Sequence, residues 1–334
     1  MTSPASRPEK EGLPRRDFLR RMVRSAALSL GVGMVGIALL DRRGPPGGAP
    51  PAESAPLPDY SVPAQAGKLA LAHGADRGRG IERAVKALGG MTAFVRPGER
   101  VLIKVNAAFA APPALSATSH PEAVARVIRL CQEAGAAEVL VADNPINDPE
   151  ACFELSGIGP AARAAGARLV LPRVERFNAY SVPGGRLIRN WPVFYEPLQR
   201  ADRIIGLAPV KDHHRSGASL TLKNWYGLLG GRRNIFHQEI HTIILELAML
   251  IKPTLVILDG TKSMLRNGPT GGSLADLAPT HTVVAGTDPV AVDALGATLL
   301  GKTFQDLPHL SMAQEKKLGT VEYRRLNPVD ASGA

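Results

Sequence analysis

Residues 100–106 read RVLIKVN and residues 119–143 read SHPEAVARVIRLCQEAGAAEVLVAD, and together they describe a strand, a helix and a second strand. The two apolar runs that end at Asn106 and Asp143 are short and rich in branched side chains, which is typical of strands buried on both faces. Pro121 stands where helices begin and Gly135 where they end. Strand, helix and strand in this order predict a parallel sheet.

The same alternation continues along the chain and predicts an α/β fold, with a mainly parallel sheet flanked by helices. The segment 177–197 leaves room for a small second lobe. The candidate strands are 68–73, 100–106, 138–143, 168–171, 203–209, 255–259 and 281–285, and the candidate helices are 80–88, 121–134, 159–165, 235–250 and 289–299.

The N-terminus carries the sequence features of an export signal. Residues 14–20 read PRRDFLR and precede an apolar, glycine-containing run of about 16 residues at 25–40. An arginine pair followed by such a run predicts a twin-arginine signal and, with it, the twin-arginine export machinery as a partner. The run is short for a stable membrane span, yet an uncleaved signal would anchor the protein to the outer face of the inner membrane rather than release it into the periplasm.

The domain organisation follows from composition. We predict a signal at 1–43, a Pro-rich linker at 44–66, an α/β domain at 67–310 and a C-terminal tail at 311–334. The formal net charge is +10, of which residues 1–66 contribute +3 (nine basic against six acidic side chains) and the remainder +7. The excess is spread along the chain and only 4% of residues are aromatic, which argues against a nucleic-acid partner and favours an anionic small molecule or cofactor.

The cysteine content excludes one class of cofactor. The chain contains only Cys131 and Cys152, without a C-x-x-C motif, so we expect no iron–sulfur cluster held by this chain alone. The two thiols are also compatible with a single disulfide, because the predicted compartment is oxidising. The sequence does not otherwise identify a cofactor, and a divalent metal is the candidate.

Polar residues follow several predicted strands at their carboxyl ends, where ligands bind to open parallel sheets. We therefore expect these residues to share one edge of the sheet. They are Lys104, Asn106, Asp143, Lys211, His213, Asp259 and Asp288, with His120 at the start of the helix after residue 119.

Five motifs occur in a fixed order: VLIKVN at 101–106, TSHPE at 118–122, VKDHH at 210–214 with LKNWYG at 222–227, LDG at 258–260 with NGPTGG at 267–272, and AGTDPVAVDA at 285–294. In this order they resemble the family called domain of unknown function 362, over about residues 68–301. The resemblance implies an α/β fold and a shared polar pocket, without a settled reaction. Members of that family often carry a cysteine-rich ferredoxin module, which this sequence lacks.

An anion site is the first chemical hypothesis. Lys104, Lys211 and Lys223 beside Asn224 would converge as cationic donors for a phosphate or carboxylate, although each is also compatible with an ordinary surface lysine. The backbone amides of the turn containing Gly268 and Gly271 would cradle the same anion. That turn matches no nucleotide-binding fingerprint.

A metal site is the second hypothesis. His237 and His241 are spaced i, i+4, which on one helix places both imidazoles on the same face, and His213 or Asp259 would supply a third ligand. We also expect His213 or His214 to lie near that helix. The alternative is that the histidine pair has a structural role.

Together these patterns predict an exported protein that binds an anionic small molecule or a metal-bearing cofactor at the strand carboxyl ends, with His213, Lys211 and Asp288 as catalytic candidates if it is an enzyme. The alternative is a non-catalytic periplasmic carrier or maturation factor for a cofactor or metal. Serine and cysteine hydrolysis are set aside, because the sequence contains no G-x-S-x-G motif and no activated cysteine.

Overall fold

A computed structural model of the protein describes residues 55–332 and, before them, Arg16 alone. The predicted signal at 1–43, apart from Arg16, and residues 44–54 of the predicted linker therefore lie outside the described residues. The strands are β1 (Leu69–His73), β2 (Arg100–Lys104), β3 (Glu138–Ala142), β4 (Arg168–Val170), β5 (Phe177–Tyr180), β6 (Trp191–Phe194), β7 (Arg203–His213), β8 (Gly217–Ser219), β9 (Leu255–Met264), β10 (Leu277–Ala278), β11 (Thr282–Gly286) and β12 (Val329–Asp330). The helices are α1 (Arg77–Ala87), α2 (Pro121–Glu133), α3 (Pro149–Leu155), α4 (Ile158–Ala164), α5 (Tyr195–Arg200), α6 (Thr221–Asn224), α7 (Ile240–Leu250), α8 (Pro289–Thr298) and α9 (Pro308–Glu315).

A ten-stranded sheet forms the centre of the described chain, in the order β12-β1-β11-β9-β7-β2-β3-β4, with β10 paired to β9 and β8 to β7. The pairs β2–β3, β2–β7, β3–β4 and β7–β9 are parallel. Strand β11 is antiparallel to both of its neighbours, β1 and β9. The mainly parallel α/β fold predicted from the sequence is confirmed.

Both faces of the sheet are covered, as the continuous apolar runs predict. Leu102 and Ile103 are adjacent in β2, and both are fully buried, yet they belong to different apolar clusters. Because successive side chains of a strand point to opposite faces, the two clusters lie on opposite faces of the sheet. This packing leaves the strand ends as the place where polar side chains gather.

The strand order reverses next to β2. From β2 the chain adds β3 and β4 on one side, and it then returns to place β7 on the other side of β2. A crevice outside the carboxyl ends of the strands is expected at such a reversal, and ligands of open α/β sheets bind there. The candidate site is therefore expected at the ends of β2 and β7.

Residues on both sides of the predicted domain limits pack on this domain. Tyr60, in the predicted linker, is 1% exposed and its hydroxyl donates to the Leu198 carbonyl at 3.0 Å. In the predicted tail, β12 pairs in parallel with β1. Within residues 55–332, the folded region thus extends beyond 67–310.

The segment 177–197, where a small second lobe is expected, forms the antiparallel pair β5–β6 followed by α5. Val193 and Phe194 of β6 are buried in the same apolar cluster as Leu102 of the large sheet. Among residues 55–332, no helix has both the length and the apolarity needed to cross a membrane.

Candidate functional site

The centre of the site is an ion pair between the ends of β2 and β3. The Lys104 ammonium lies 2.7 Å from Asp143 Oδ1, and both side chains are almost fully buried. Lys104 also donates to the carbonyls of Val105 at 2.7 Å and Asn224 at 2.9 Å. Asp143 Oδ2 accepts the Ala107 amide at 2.6 Å. Burial lowers the pKa of Lys104, and the charge of Asp143 opposes that shift.

Gly227 makes room for this ion pair. A Cβ at this position would lie 1.8 Å from Asp143 Oδ1 and 2.8 Å from the Lys104 ammonium, so no larger residue fits without moving the pair. The Gly227 carbonyl in turn accepts the Asn144 amide at 3.0 Å. The glycine of the LKNWYG motif is therefore a packing residue of the site, a role that the sequence did not indicate.

Lys211 is buried beside the ion pair without a carboxylate of its own. Its ammonium donates to Asn106 Oδ1 at 3.3 Å and to the Ala117 carbonyl, and it lies 5.1 Å from the centre of the Phe109 ring. Within the part of the chain that the structure describes, Lys211 makes no salt bridge. Burial and the neighbouring Lys223 lower the pKa of Lys211 to about 7.

Lys223 is more isolated still. Its ammonium lies over the Tyr226 ring, 5.0 Å from the ring centre. Between residues 55 and 332 no hydrogen-bond acceptor and no carboxylate lies within bonding distance of that ammonium. Burial, with the positive charge of Arg233, lowers the pKa of Lys223 to about 7.

Arg233 completes the group of basic side chains and was not anticipated from the sequence. Within the described residues its guanidinium donates to main-chain carbonyls alone, among them Asn144 at 2.7 Å and Leu229 at 3.0 Å, so it ties the loop after β3 to the segment after α6. Burial lowers the pKa of Arg233. We call Lys211, Lys223 and Arg233 the cation cluster.

His213 has a fixed tautomer at the end of β7. Its Nδ1 accepts the amides of Arg215 and Ser216, each at 3.2 Å, so in the neutral ring the proton is on Nε2. Burial, followed by the charge of Lys223, lowers the pKa of His213 to about 2. His213 is therefore a neutral donor that is poorly suited to take up a proton, which argues against the acid–base role expected for it.

The histidines after residue 230 separate into two groups. His237 stacks at 5.9 Å from His213, and its Nδ1 lies 3.1 Å from the Tyr226 hydroxyl. The expectation that His213 or His214 approaches this segment is confirmed. His241 instead pairs with His309, with 3.1 Å between the two Nδ1 atoms.

The predicted metal set of His213, His237 and His241 is not assembled. A single helix over 235–250 was expected, but α7 begins at Ile240 and His237 lies in a preceding 3-10 segment, Arg233–Glu239. The backbone between them leaves helical geometry at Glu239, where φ is −128° and ψ is 52°, so the i, i+4 spacing does not place both rings on one face. Among the described residues, no group of three or more His, Cys, Asp or Glu side chains could hold a metal ion.

Asp259 and His120 form a neighbouring polar group whose charges are paired. Asp259 Oδ2 accepts Arg77 Nε at 2.6 Å, and its Oδ1 accepts the Thr261 amide at 2.9 Å. His120 caps α2, where its Nδ1 accepts the Glu122 amide at 3.3 Å. Burial and the nearby Arg77 lower the pKa of His120. These residues lie at the predicted edge of the sheet, but the Asp259 carboxylate and the Nδ1 of His120 are already engaged.

The glycine turn does not form the expected anion cradle. The Gly268 amide faces Asp212 Oδ2 at 3.4 Å, and the Gly271 amide donates to the Asn267 carbonyl at 3.1 Å. Gly268 is required instead for close packing, because a Cβ there would lie 1.8 Å from the Asp212 carbonyl oxygen. Gly271 has a φ of +63°, which glycine adopts without strain.

Comparison with known proteins assigns the chain to a family. The sequence pattern described as Domain of unknown function (DUF362) matches residues 101–298, more than half of the chain. The chain belongs to the DUF362 family. A thylakoid-associated protein of Synechocystis sp. is 29% identical over 256 residues, which are 74% of each chain. A crystal structure of a Thermotoga maritima protein aligns with 13% identity and a TM-score of 0.32, covering 72% of this chain and 58% of the other.

One predicted site residue within the DUF362 match, Asp288, lies away from the other predicted site residues. Asp288 follows β11, and because β11 is antiparallel to β9, its carboxyl end lies at the edge opposite Lys104 and Lys211. Asp288 caps α8, accepting the amides of Val290 at 2.9 Å and Ala291 at 3.0 Å. The shared-edge prediction is therefore wrong for Asp288, since the sequence does not reveal the direction of one strand.

Two further predicted residues of the DUF362 motifs, Asn106 and Asn224, do lie with the lysines. Asn106 accepts from Lys211, and Asn224 is fixed between strands by donating to the carbonyls of Lys104 at 3.1 Å and Leu207 at 3.3 Å. Cys131 and Cys152, by contrast, are both free and buried and form no disulfide. The site is thus a set of basic and amide side chains, with Asp143 as the carboxylate paired to Lys104.

Proposed function

We propose that this DUF362 protein binds an anionic small molecule at the carboxyl ends of β2 and β7. The observation that carries the proposal is an imbalance of charge: Lys104, Lys211, Lys223 and Arg233 lie together, whereas among residues 55–332 only Asp143 pairs with one of them. A buried cation without a counter-charge is unfavourable. A bound anion would supply the missing charge.

The chemistry of the donors favours a carboxylate or phosphate group. Lys211 and Lys223 offer ammonium groups, which act as point charges toward anions, and His213 offers an uncharged Nε2–H. Arg233 is engaged with main-chain carbonyls, so its role is to position the loop after β3 and to add positive potential. The proposed ligand is therefore small and carries one anionic group held mainly by lysine.

The same arrangement serves an enzyme or a carrier. In an enzyme, Lys211 and His213 would polarise the bound anion by hydrogen bonds, while in a carrier they would only retain it. Turnover of the bound molecule separates these two possibilities. We favour binding as the common step, because it requires only the charge imbalance.

Binding is tested with inorganic phosphate, pyrophosphate and citrate as separate probes, by calorimetry and by thermal stabilisation. Lys211→Met should weaken binding of the effective probe by at least tenfold, about 1.4 kcal/mol. Lys316→Met, at an exposed lysine, is the matched control and should leave binding unchanged. Equal binding by the wild type, Lys211→Met and Lys316→Met would overturn the proposal. Failure of the wild type to bind any of the three probes would overturn it as well.

We also propose that the protein is exported by the twin-arginine route and either released into the periplasm or anchored by its uncleaved apolar run. The support is Arg15 and Arg16 ahead of the run at 25–40, and a relative that is itself described as thylakoid-associated. Lysine does not present the guanidinium fork. Replacing both arginines by lysine should therefore retain the protein on the cytoplasmic side, and continued export of the double variant would reject the route.

A further inference from the structure

Lys223 differs from its neighbouring lysines in what surrounds its nitrogen. Lys104 has a carboxylate and two close carbonyl oxygens, and Lys211 has an amide oxygen and a carbonyl oxygen. The Lys223 nitrogen faces the π surface of Tyr226 and, among residues 55–332, has neither kind of acceptor. An ammonium group needs acceptors for three N–H bonds. Lys223 is only partly buried, so solvent or a ligand can reach this nitrogen, and the protein itself stabilises its ammonium form less than that of Lys104 or Lys211.

The charges around Lys223 act in the same direction. Lys223 lies close enough to Lys211 and Arg233, and to the histidines His213, His237 and His309, for their charges to affect one another. Arg233 is 5.7 Å from the centre of the Tyr226 ring that Lys223 also faces. No carboxylate in the described residues forms an ion pair with Lys223. The surroundings thus hold a lysine nitrogen with a free lone pair inside an anion site.

We propose that Lys223 is a nucleophile that forms an imine with the carbonyl carbon of a small anionic substrate. The proposal rests on the proposed function, which supplies the binding of the substrate's anionic group. In this step the Lys223 lone pair forms a bond to the carbonyl carbon. The two N–H protons leave with the carbonyl oxygen as water, and a carbon–nitrogen double bond replaces the carbon–oxygen double bond. No oxidant or reductant is involved, and hydrolysis reverses the step.

The substrate class follows from the rest of the cation cluster. A 2-oxo acid carries a carboxylate next to its carbonyl carbon, so Lys211 would hold the carboxylate while Lys223 attacks the adjacent carbon. The carboxylate also supplies the negative charge that the cluster lacks, which offsets the positive charge of a protonated imine. Lysines that are desolvated or placed near another cation are activated in this way for Schiff-base chemistry.

The experiment traps the imine by reduction. The full-length protein is incubated with glyoxylate or pyruvate and sodium cyanoborohydride, whose hydride converts the imine into a stable secondary amine, and the modified lysine is located by peptide mass spectrometry. We expect a single adduct at Lys223. At pH 7 it should form on the order of 10³ times faster than at Lys316, because a neutral amine is far more abundant at a pKa near 7 than at about 10.4.

Three controls complete the test. Lys223→Arg keeps the positive charge and should abolish the adduct while retaining anion binding. Lys211→Met should slow trapping of glyoxylate by about tenfold or more but leave trapping of the uncharged aldehyde propanal within about twofold. The rate of trapping in the wild type should rise with a midpoint near pH 7.

Failure of the nucleophile and failure of the anion site give different results. Adducts spread over exposed lysines, no adduct at Lys223, or a midpoint near that of an ordinary lysine would overturn the nucleophile, even if phosphate or citrate still binds. Trapping at Lys223 with equal rates for glyoxylate and propanal would support the amine and reject the anion site as the source of substrate selection.

Discussion

Two regions of one sheet edge treat buried positive charge in opposite ways. Between β2 and β3, Lys104 is neutralised by Asp143 at 2.7 Å and by close carbonyl oxygens. Around β7 and α6, the cation cluster has no carboxylate of its own within the described residues, and the Lys223 nitrogen has no acceptor. In the first region, groups of the protein itself balance the positive charge. The second is complete only when a ligand provides negative charge.

The difference separates structure from function. A paired buried charge is costly to break, whereas an unpaired buried charge lowers stability and persists where it serves binding or chemistry. We therefore expect substitutions in the β2–β3 region to change the free energy of unfolding, and substitutions in the cation cluster to change ligand binding. The following predictions test that separation.

Removal of the carboxylate has the largest expected effect. Asp143→Ala leaves Lys104 buried without a counter-charge and should lower the free energy of unfolding by about 3–5 kcal/mol, measured by urea denaturation. Lys211→Met should stay within about 1 kcal/mol of the wild type, because the loss of two hydrogen bonds is offset by removal of an unpaired buried charge. Equal losses in the two variants would remove the distinction between the regions.

The packing of the ion pair is tested at Gly227. Gly227→Ala places a Cβ 1.8 Å from Asp143 Oδ1 and should destabilise the protein by about 1–3 kcal/mol. The matched control is Gly272→Ala, since nothing lies within 4 Å of a Cβ there, and its effect should be within about 0.5 kcal/mol. A tolerated Gly227→Ala would mean that the pair shifts easily and is not the rigid part of the site.

Part of the acid sensitivity is expected to arise outside both regions, at His309. Burial and the neighbouring His241 lower the pKa of His309 to about 3, below the unfolded value of about 6.5. As the pH falls, the unfolded chain therefore binds the His309 proton before the folded protein does. The stability of the folded protein is highest above pH 6.5 and decreases as the pH falls toward 3. His309→Gln should reduce the slope of stability against pH in that range by up to about 1.4 kcal/mol per pH unit. An unchanged slope, in unfolding measured between pH 6 and pH 4, would assign the acid sensitivity to other groups.

Ligand affinity should show the opposite dependence on pH. Burial lowers the pKa values of Lys211 and Lys223 to about 7, and a bound anion favours their protonated forms. Affinity should thus be constant below pH 7 and fall above it, by up to tenfold per pH unit for each proton taken up on binding. Lys223→Arg should make the titration curve shallower, because arginine keeps its charge. Calorimetric affinities that do not change between pH 6 and pH 9 would mean that neither lysine contacts the anion.

The fold could be predicted from the sequence because its strands are buried on both faces. The run at 101–105 is mostly apolar, and each of the seven candidate strands begins within one residue of a structural strand. The direction of β11 could not be predicted, since its apolar run at 282–286 reads the same for parallel and antiparallel pairing. That single ambiguity misplaced Asp288.

The site was predicted in part for the same reason. Residues at the ends of β2 and β7 converge because parallel strands bring their carboxyl ends to one edge, which placed Lys104 and Lys211 correctly. Arg233 and Gly227 were missed because their roles depend on tertiary contacts that no local pattern records. The histidine pair was misread because helical spacing was assumed across Glu239, where the helix has not yet begun.

The smallest expected effect on binding is at Asp288, on the opposite edge of the sheet. Asp288→Ala removes the cap of α8 and a bond from the Thr320 amide, and it should lower stability by about 1 kcal/mol. Burial raises the pKa of Asp288, so protonation of this carboxyl in mild acid should favour the folded state, and its ionisation as the pH rises should cost stability. Anion affinity should be unchanged within about twofold, because β11 carries Asp288 away from the cation cluster. A clear loss of affinity at unchanged stability would require Asp288 to influence the cluster through the sheet, and it would end the assignment of ligand binding to one edge.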